Sequence, residues 1–411
     1  MSIAAFSTSR PASSGEMPIL DTERAELVTQ RHGQLAQLMT THGWDAILLQ
    51  DPASFSWLTV GGDNTSRGNE VTPVATILVT GEARVVLCNN IDSGQIFDRD
   101  LMGLGFLVKE RPWTESLEVL KQDVCRARRV GCDVCLPGTE PIGPELAELR
   151  CQLSPREITV MRELGRDVAH ALEATARNFE FGSRESEVAG HLAHRLMKRG
   201  VQPVKLQVMA DAQGWRYRHW SYGNDRIERH CILSAVGRRL GLHVGASRSV
   251  CIGAPSEELQ NVHLLAMLVQ SSGMFFSQPG WQLSETWKRI ARIYEKFETP
   301  DEWRSATQAE VLGYHRAEYA VTPQTDQTLR PGMAIFWHPS VRASLVGDTI
   351  LVTESGGELL TPGQNWPMIS VKVKGNTIER PSLLIREFAP EHAVQPEDSG
   401  DRESSPPDLS E

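Results

Sequence analysis

The hydrophobic positions in the first third of the chain are grouped in short runs. After a helical stretch that begins near Asp21, β-forming residues occur together at 45–50 (DAILLQ), 55–60 (FSWLTV), 74–80 (VATILVT) and 84–88 (RVVLC). Short apolar runs bounded by turn residues are typical of buried strands. The pattern therefore predicts a small α/β domain over residues 21–136, with a strand at each of these runs.

A helical period replaces the short runs from Ser154 onwards. Ser154 is suited to be an N-cap, Pro155 occupies the first helical position, and Glu157 lies three residues after the cap, which predicts a capping box. The apolar residues that follow share one helical face: Ile158, Met161, Leu164, Val168 and Leu172. A second helix is predicted after Gly182 and ends near Gly200, because glycine suits a left-handed C-cap.

The remainder of the chain adds strands and two further helices. Residues 230–253 predict a hairpin, two helices are centred on Leu265 and Ile290, and residues 332–361 predict more strand pairs. Helix pairs that alternate with antiparallel strands indicate an internally repeated arrangement. We therefore predict an α+β domain over residues 154–388.

Three segments lie outside the two predicted domains. Residues 137–153 are rich in proline and glycine, which predicts a linker with one short helix. Residues 1–20 and 389–411 show no periodicity, so we expect both ends to be disordered. The second end is acidic, because seven carboxylates and a single arginine give it a net charge of −6.

Composition narrows the class of protein. The 411 residues are 40% hydrophobic and 23% charged, which is typical of a globular protein with two domains. No apolar run reaches the roughly 18 residues of a membrane helix and no secretory signal is visible, so we expect a cytoplasmic protein without a membrane partner. The seven scattered cysteines predict free thiols. A net charge of −10 offers no basic face to nucleic acid, which is therefore not an expected partner.

Several segments resemble one known family. Residues 153–166 (LSPREITVMRELGR) and 181–200 (FGSRESEVAGHLAHRLMKRG) are similar to the first two helices of the creatinase, aminopeptidase P and methionine aminopeptidase family. Residues 328–340 (TLRPGMAIFWHPS) and 347–361 (GDTILVTESGGELLT) are similar to its last strands. Residues 43–60 (GWDAILLQDPASFSWLTV) also resemble the N-terminal domain of the creatinase and aminopeptidase P branch. The resemblance implies an N-terminal creatinase-like α/β domain followed by an α+β domain with the pita-bread fold.

The resemblance also implies which positions would carry metal chemistry. Family members hold two divalent ions with two aspartates, one histidine and two glutamates, and the ions share a hydroxide and polarise the scissile carbonyl. The matching positions here are Ser234, Gly245, Glu310, His338 and Gly347. They supply one negative charge against four positive charges, whereas hard divalent ions need anionic oxygens. We therefore predict that the two-metal site of the family is absent and that no cofactor is required.

A single metal ion is the alternative at this site. Glu310, His338 and Asp348 offer one histidine and two carboxylates, which is a possible set of ligands for one ion. Arg248 matches an arginine that follows the second metal-binding aspartate of the family by three positions. These four residues are the candidate ligand-binding residues.

His219 is the candidate catalytic residue. It lies in the segment YRHW, fifteen positions before Ser234, and is similar to the substrate-contacting histidine of the family. In the creatinase branch, which works without metal, the matching histidine is the acid and base that hydrolyses a C–N bond. The alternative is a pocket histidine with nothing to catalyse. Ala317 replaces a second active-site histidine of the family beside Glu318, which removes another group from the peptidase mechanism.

Three hypotheses for function follow from these observations. The first is a member of the family with a degenerate metal site, which keeps its cleft for a small amide, peptide or guanidino ligand although its family label would be metallopeptidase. The second is a metal-independent C–N hydrolase that uses His219. The third is a protein-interaction module, because the large subunit of the histone chaperone FACT contains a similar domain without peptidase activity. The resemblance also implies a homodimer.

Overall fold

The computed structural model describes residues 14–65, 72–211 and 216–387. The acidic end, residues 389–411, lies outside the described residues, as do residues 1–13. Ser14–Glu16, within the first predicted disordered end, form a 3-10 turn. The Ser14 amide donates to the Phe106 carbonyl at 2.7 Å, and the Ser14 hydroxyl accepts from the Phe106 amide at 2.7 Å. The prediction of disorder is wrong for these residues, because a partner distant in the sequence fixes them.

A six-stranded mixed sheet organises the N-terminal part, with strand order β4-β3-β2-β1-β5-β6. Its strands are β1 Ala46–Leu49, β2 Ala75–Val79, β3 Arg84–Asn89, β4 Leu107–Arg111, β5 Val130–Cys132 and β6 Glu140–Pro141. Its helices are α1 Thr22–His42, α2 Pro52–Leu58, α3 Ser93–Gln95, α4 Leu117–Cys125 and α5 Gly143–Arg150. Three of the four predicted strands are present. Strand β6 and helix α5 lie in residues 137–153, the segment predicted as a linker.

Residues 55–60 were predicted as a strand, but most of them belong to helix α2. The Asp51 carboxylate accepts from the Ala53 amide at 2.8 Å and caps this helix, and Pro52 takes the first helical position. Residues from Ala53 to Leu58 are all buried. Because a short apolar run that is buried on all sides fits a helix as well as a strand, the capping signal decides between them.

Within the described residues, two larger sheets, two two-stranded sheets and four α-helices form the C-terminal part. The first sheet has the order β19-β9-β8-β7 and the second the order β11-β10-β12-β15-β16. The strands of the first sheet are β7 Gln202–Ala210, β8 His230–Arg239, β9 Leu242–Ile252 and β19 Leu384–Arg386. Those of the second are β10 Ala309–Leu312, β11 Tyr319–Ala320, β12 Ala334–Trp337, β15 Asp348–Thr353 and β16 Gly356–Leu359. Two short pairs complete the set: β13 Ser340–Val341 with β14 Ser344–Leu345, and β17 Met368–Val373 with β18 Asn376–Pro381.

The helices cover the outer faces of these two sheets. Helices α6 Pro155–Asn178 and α7 Glu185–Met197 pack on the first sheet, and α8 Glu257–Phe276 packs on the second with α9 Leu283–Lys296 beside it. The predicted capping box of α6 is present, because the Ser154 amide donates to the Glu157 carboxylate at 2.8 Å while the Glu157 amide donates to the Ser154 hydroxyl at 3.4 Å. Glu157 also binds Arg31 of α1, which ties the two parts of the chain together.

The two sheets meet along β9 and β15. The Ser247 amide donates to the Gly347 carbonyl at 2.8 Å, and these two residues form an isolated bridge between the sheets. Nearby, the Thr349 hydroxyl donates to the Gly245 carbonyl at 2.7 Å and accepts from the Gly245 amide at 3.1 Å. The faces that the sheets turn towards each other therefore lie in close contact, and the candidate site is formed there.

Two further findings concern predictions from composition. None of the seven cysteines, all of which lie within the described residues, forms a disulfide bond, as predicted. Within the described ranges, no helix is both long enough and apolar enough to cross a membrane.

Candidate functional site

Strand register places five residues of the first sheet on one face. Gln207, Ser234 and Ser247 are direct neighbours across β7, β8 and β9, and Lys205 and Gly245 lie two residues before Gln207 and Ser247. Because side chains alternate along a strand and directly paired residues share a face, these five residues all project towards the second sheet. We call this inner surface, together with its counterpart on the second sheet, the cleft face.

The second sheet contributes four residues to the cleft face. Glu310 pairs with Phe336, and Phe336 pairs with Thr349, so the three lie in one row. His338 follows Phe336 by two residues, and the two rings lie against each other with their centroids 4.5 Å apart. Phe336, Glu310 and His338 are all buried. The cleft face therefore joins two of the predicted site residues, Glu310 and His338.

The positions that match the metal ligands of the family are closely packed. A Cβ atom built on Gly245 would lie 2.6 to 2.8 Å from the Phe336 ring. One built on Gly347 would lie 2.5 Å from the Ser247 hydroxyl and 3.1 Å from the same ring. At Ser234, the hydroxyl accepts from the Ser247 hydroxyl at 2.9 Å. Neither glycine therefore has room for a carboxylate side chain while its present neighbours keep their positions.

Asp348 and Arg248 lie on the opposite face of the same strands. Asp348 is 1% exposed and binds Arg248 Nη1 at 3.0 Å and Arg380 Nη2 at 3.3 Å. Arg248 is 2% exposed and also donates from Nε to Glu173 of α6 at 3.1 Å. We call this surface, which is covered by α6 and α8, the helix face. Neither residue reaches the cleft, which corrects the prediction that they bind a ligand.

The set of three metal ligands predicted at Glu310, His338 and Asp348 is not assembled. Asp348 is separated from the other two by the strand itself, because it pairs with Trp337 and that row faces away from the cleft. Across residues 14–65, 72–211 and 216–387, no group of three or more histidine, cysteine, aspartate or glutamate side chains is placed to hold a metal ion.

Charged side chains surround Glu310 at the edge of the cleft. Its carboxylate accepts from Arg316 Nη1 at 3.1 Å and lies 3.5 Å from Nε2 of His338, a ring nitrogen that is buried and makes no hydrogen bond. Burial alone would raise the pKa of Glu310, but His338, Arg316 and Lys205 outweigh it and lower that pKa. Glu310 is therefore an ionised carboxylate at neutral pH.

Lys205 is a cation without an ion-pair partner. No described carboxylate lies within 4 Å of its amine, although Glu310 and Arg316 are near enough to act on it electrostatically. Burial, together with the charge of Arg316, lowers the pKa of Lys205, and Glu310 opposes the shift. A partly buried cation beside a second cation favours the approach of an anion.

His219 lies at the rim of the same cluster. Its side chain is exposed, but partial burial and then the charge of Lys205 lower the pKa of its imidazole, against a smaller opposing effect of Glu310. The ring is therefore neutral at pH 7 and able to accept a proton.

The segment that follows β10 divides its side chains between the cleft and the N-terminal domain. Arg316 faces Glu310, whereas His315 Nε2 lies 2.8 Å from the Asp51 carboxylate. Glu318 accepts three hydrogen bonds from Arg150, two from Nε at 3.0 Å and one from Nη2 at 2.8 Å. Glu318 and His315 are therefore used to hold the two parts of the chain together.

Comparisons with known proteins agree with this architecture. A family model described as Metallopeptidase family M24 matches residues 159–354. The chain is similar to the Xaa-Pro dipeptidase of Pyrococcus horikoshii, with 24% identity over 226 residues, which span 53% of this chain and 64% of that protein. Residues 159–354 are therefore similar to the M24 metallopeptidase family. The match of the chain covers less than two thirds of the length of the first curated relatives, 64% in each case.

Solved structures confirm the predicted fold. The prolidase from Pyrococcus horikoshii has a TM-score of 0.72 at 16% identity, covering 82% of this chain and 99% of that one. The N-terminal domain of FACT complex subunit SPT16 from chickpea has a TM-score of 0.64 at 14% identity, covering 83% and 97%. At these identities the likeness concerns the fold alone. It bears out the α/β N-terminal domain followed by the pita-bread domain.

Five of the nine residues on the cleft face were not identified from the sequence: Lys205, Gln207, Ser247, Phe336 and Thr349. Phe336 and Ser247 could have been found, because each lies two residues from a position that matches a metal ligand, His338 or Gly245, and so shares its face. Lys205 offered no such signal. The register between β7 and β8 shifts between Pro203 and Lys205. The face on which the Lys205 side chain lies therefore depends on a strand irregularity that the sequence does not predict.

Proposed function

We propose that this pita-bread protein binds a small amide- or peptide-like ligand with a free carboxylate, without metal and without the peptidase reaction named for its family. The observation that carries the proposal is the Phe336 ring, which lies where side chains at Gly245 and Gly347 would project. This packing supports a degenerate metal site, because a carboxylate side chain at either of these two positions would overlap its present neighbours.

The remaining groups do not fit a pair of divalent ions. Of the five matched positions, only Glu310 is anionic, and its charge is already matched by Arg316. The hydroxyls at Ser234 and Ser247 bind each other. Magnesium- or manganese-like ions need several anionic oxygens, and two ions that share a hydroxide need more. No step that requires bound metal is therefore part of the proposal.

The charge of the cleft supports a carboxylate ligand over a guanidino compound. Lys205 and Arg316 carry two positive charges, whereas Glu310 carries one negative charge. A ligand carboxylate near Lys205 would form a charge-assisted hydrogen bond with an amine that lacks an ion-pair partner. A guanidinium would instead approach two like charges. Since similar proteins are named Xaa-Pro dipeptidases, glycyl-proline is a suitable probe.

Metal content tests the loss of the metal centre. Protein purified without a chelator or a metal-binding tag is incubated with manganese, cobalt or zinc, dialysed, and measured by mass spectrometry. We expect less than about a tenth of an equivalent of any metal, because a binuclear site needs ligands that this chain lacks. One or more equivalents retained after dialysis would contradict the proposal.

Calorimetry tests the ligand class. We expect glycyl-proline to bind at least about tenfold more tightly than glycyl-proline amide, which lacks the carboxylate. Lys205→Ala should remove this preference, whereas the control Lys198→Ala, at an exposed lysine on the end of α7, should keep it. Equal affinity for the acid and the amide would contradict the carboxylate, and no binding of either would contradict the ligand-binding role.

A metal-independent C–N hydrolase is the second candidate, because of the position and pKa of His219. Its neutral imidazole lies beside the Glu310 and Lys205 charges, where it could accept a proton from the attacking water and then donate that proton to the leaving nitrogen as the C–N bond breaks. Hydrolysis of glycyl-proline and of creatine would be followed by mass spectrometry in the presence of EDTA. His219→Ala should abolish any turnover, while His191→Ala, at an exposed histidine on α7, should not. Turnover that survives in His219→Ala would exclude this role.

Assembly and location complete the proposal. We propose a homodimer in the cytoplasm. The family resemblance supports the dimer, and seven described cysteines that form no disulfide bond support a reducing compartment. Light scattering at micromolar concentration should give the mass of two chains. A monomeric mass would contradict the dimer.

A further inference from the structure

Three cavities follow one another along the outer side of α8. The first, of about 340 Å³, includes residues 254–256 before the helix and shares Val262 with the second, of about 480 Å³. The third, of about 380 Å³, shares Leu268, Phe297 and Lys372 with the second. We call this continuous depression the α8 groove. It lies on the far side of the second sheet from the cleft.

The α8 groove has an apolar floor and a basic rim. Leu264 and Phe297, which line the second cavity, are 48% and 45% exposed. Among the described residues, no carboxylate lines the second or third cavity, whereas Asp211 and Glu258 line the first. The cations along the third cavity form the basic rim: Arg289, Arg292, Lys296, Lys372 and Lys374.

The charges of the basic rim are not matched within the described chain. None of its five cations forms an ion pair within 4 Å with a described carboxylate, whereas the neighbouring Lys288 binds Glu285 at 2.5 Å. Arg289 lies over the Phe276 and Trp281 rings, and Lys296 over Phe297. An apolar surface bordered by unmatched cations is suited to an acidic segment that also carries aliphatic side chains.

The last described residues lie beside the first cavity of the α8 groove. β19 pairs with β9, and the Gly253 amide donates to the Arg386 carbonyl at 2.9 Å. Ile252, which precedes Gly253, lines the first cavity. The acidic segment, residues 389–411, begins three residues after Arg386. A 20-residue helix such as α8 is about 30 Å long, and an extended segment of 23 residues spans up to about 80 Å, so the segment can reach every part of the groove.

We propose that residues 389–411 bind in the α8 groove of their own chain, with their carboxylates against the basic rim. Five carboxylates lie between Val394 and Leu409, which is enough to match the five cations of the rim, and these two aliphatic residues are available for the apolar floor. Individual exposed ion pairs are weak. The covalent connection between the segment and the folded chain compensates for this weakness, because it gives the segment a millimolar effective concentration at the groove.

Carbodiimide cross-linking of the full chain tests this contact directly. The reagent joins carboxylates to amines in contact, and mass spectrometry locates the linked peptides. In low salt, we expect links from residues 389–411 to Lys296, Lys372 and Lys374, and we expect them to decline in 1 M salt because screening weakens exposed pairs. Protein mixed from unlabelled and ¹⁵N-labelled chains separates links within a chain from links between chains. Links only between chains would overturn the intramolecular site in favour of a second copy.

Proteolysis of the full chain provides an independent measurement. Arg402 is the only arginine or lysine in the segment, so trypsin releases residues 403–411 when the segment is accessible. The triple variant K296E/K372E/K374E should release this fragment at least about fivefold faster in low salt, because repulsion replaces attraction. The control K109E/K198E/K288E reverses three exposed lysines outside the groove and should behave as the unmodified chain. Equal release by all three proteins, or an absence of links to the rim, would overturn the proposal.

Discussion

The cleft face and the helix face belong to the same strands but carry opposite chemistry. Gly347 and Asp348 are adjacent in the chain, yet the first faces the Phe336 ring and the second lies between Arg248 and Arg380. On β9, Ser247 faces the cleft, whereas Arg248 faces the helices. The helix face therefore keeps a buried ionic network, whereas the cleft face has small neutral residues, Ser234, Gly245 and Gly347, at three of the five metal-ligand positions.

This difference separates what the fold requires from what the chemistry of the family requires. A buried ion pair that loses one partner leaves an uncompensated charge, so such a network cannot be dismantled one residue at a time without a large loss of stability. Residues that hold a metal carry no such constraint, because neutral side chains can pack in their place. A chain can therefore keep the pita-bread fold while the chemistry of its cleft changes.

The largest predicted effect comes from breaking the helix face. Arg248→Met should lower the free energy of unfolding by about 3–5 kcal/mol, because it leaves Glu173 and Asp348 buried without their shared cation. Urea denaturation followed by circular dichroism measures the change. A loss below about 1 kcal/mol would show that this ionic network does not stabilise the fold. It would contradict the proposed difference between the helix face and the cleft face.

The helix face should also make the protein sensitive to acid. His263 of α8 is buried, its Nδ1 lies 2.9 Å from the Ser344 hydroxyl, and burial lowers its pKa to about 3. Because the unfolded chain binds a proton on this residue near pH 6.5 and the folded chain does not, its contribution to stability is full above pH 6.5. That contribution falls by roughly 1.4 kcal/mol per pH unit as the pH drops towards 3.

A comparison of His263→Gln with a substitution at the cleft, His219→Gln, tests this pH dependence of stability. His263→Gln should flatten the decline in stability between pH 6.5 and 4.5, measured by urea denaturation at several pH values, by about 1.4 kcal/mol per unit. His219→Gln, at the exposed rim of the cleft, is the matched control and should leave more of the decline in place. Identical profiles for His263→Gln and the unmodified chain would contradict the assignment.

The sequence predicted the fold better than the site, for reasons that individual residues make clear. The capping box at Ser154 and Glu157 is a local signal and needs no tertiary information. The strand predicted at residues 55–60 was wrong because side chains that are buried on every side of a helix lack the periodicity that distinguishes a helix from a strand. Asp348 was grouped with Glu310 and His338 by chemistry, but only the register between β12 and β15 shows that it faces away.

The packing of the cleft face can be tested by a double-mutant cycle. Gly245→Asp alone should destabilise the protein, because its side chain would overlap the Phe336 ring. In a Phe336→Ala background the same substitution has room and should cost less, with a coupling of about 1–3 kcal/mol between the two positions. Additive losses in urea denaturation would show that the ring does not occupy the space beside Gly245.

The smallest effect concerns the paired hydroxyls of the cleft face. Ser247→Ala should cost about 1 kcal/mol, because it leaves the buried Ser234 hydroxyl without the donor that it has at 2.9 Å. The double variant S234A/S247A removes both polar groups and should be no less stable than the single variant, since no hydroxyl is then left unpaired. If the double variant instead loses as much as both single variants together, each hydroxyl has a separate role, such as contact with a ligand.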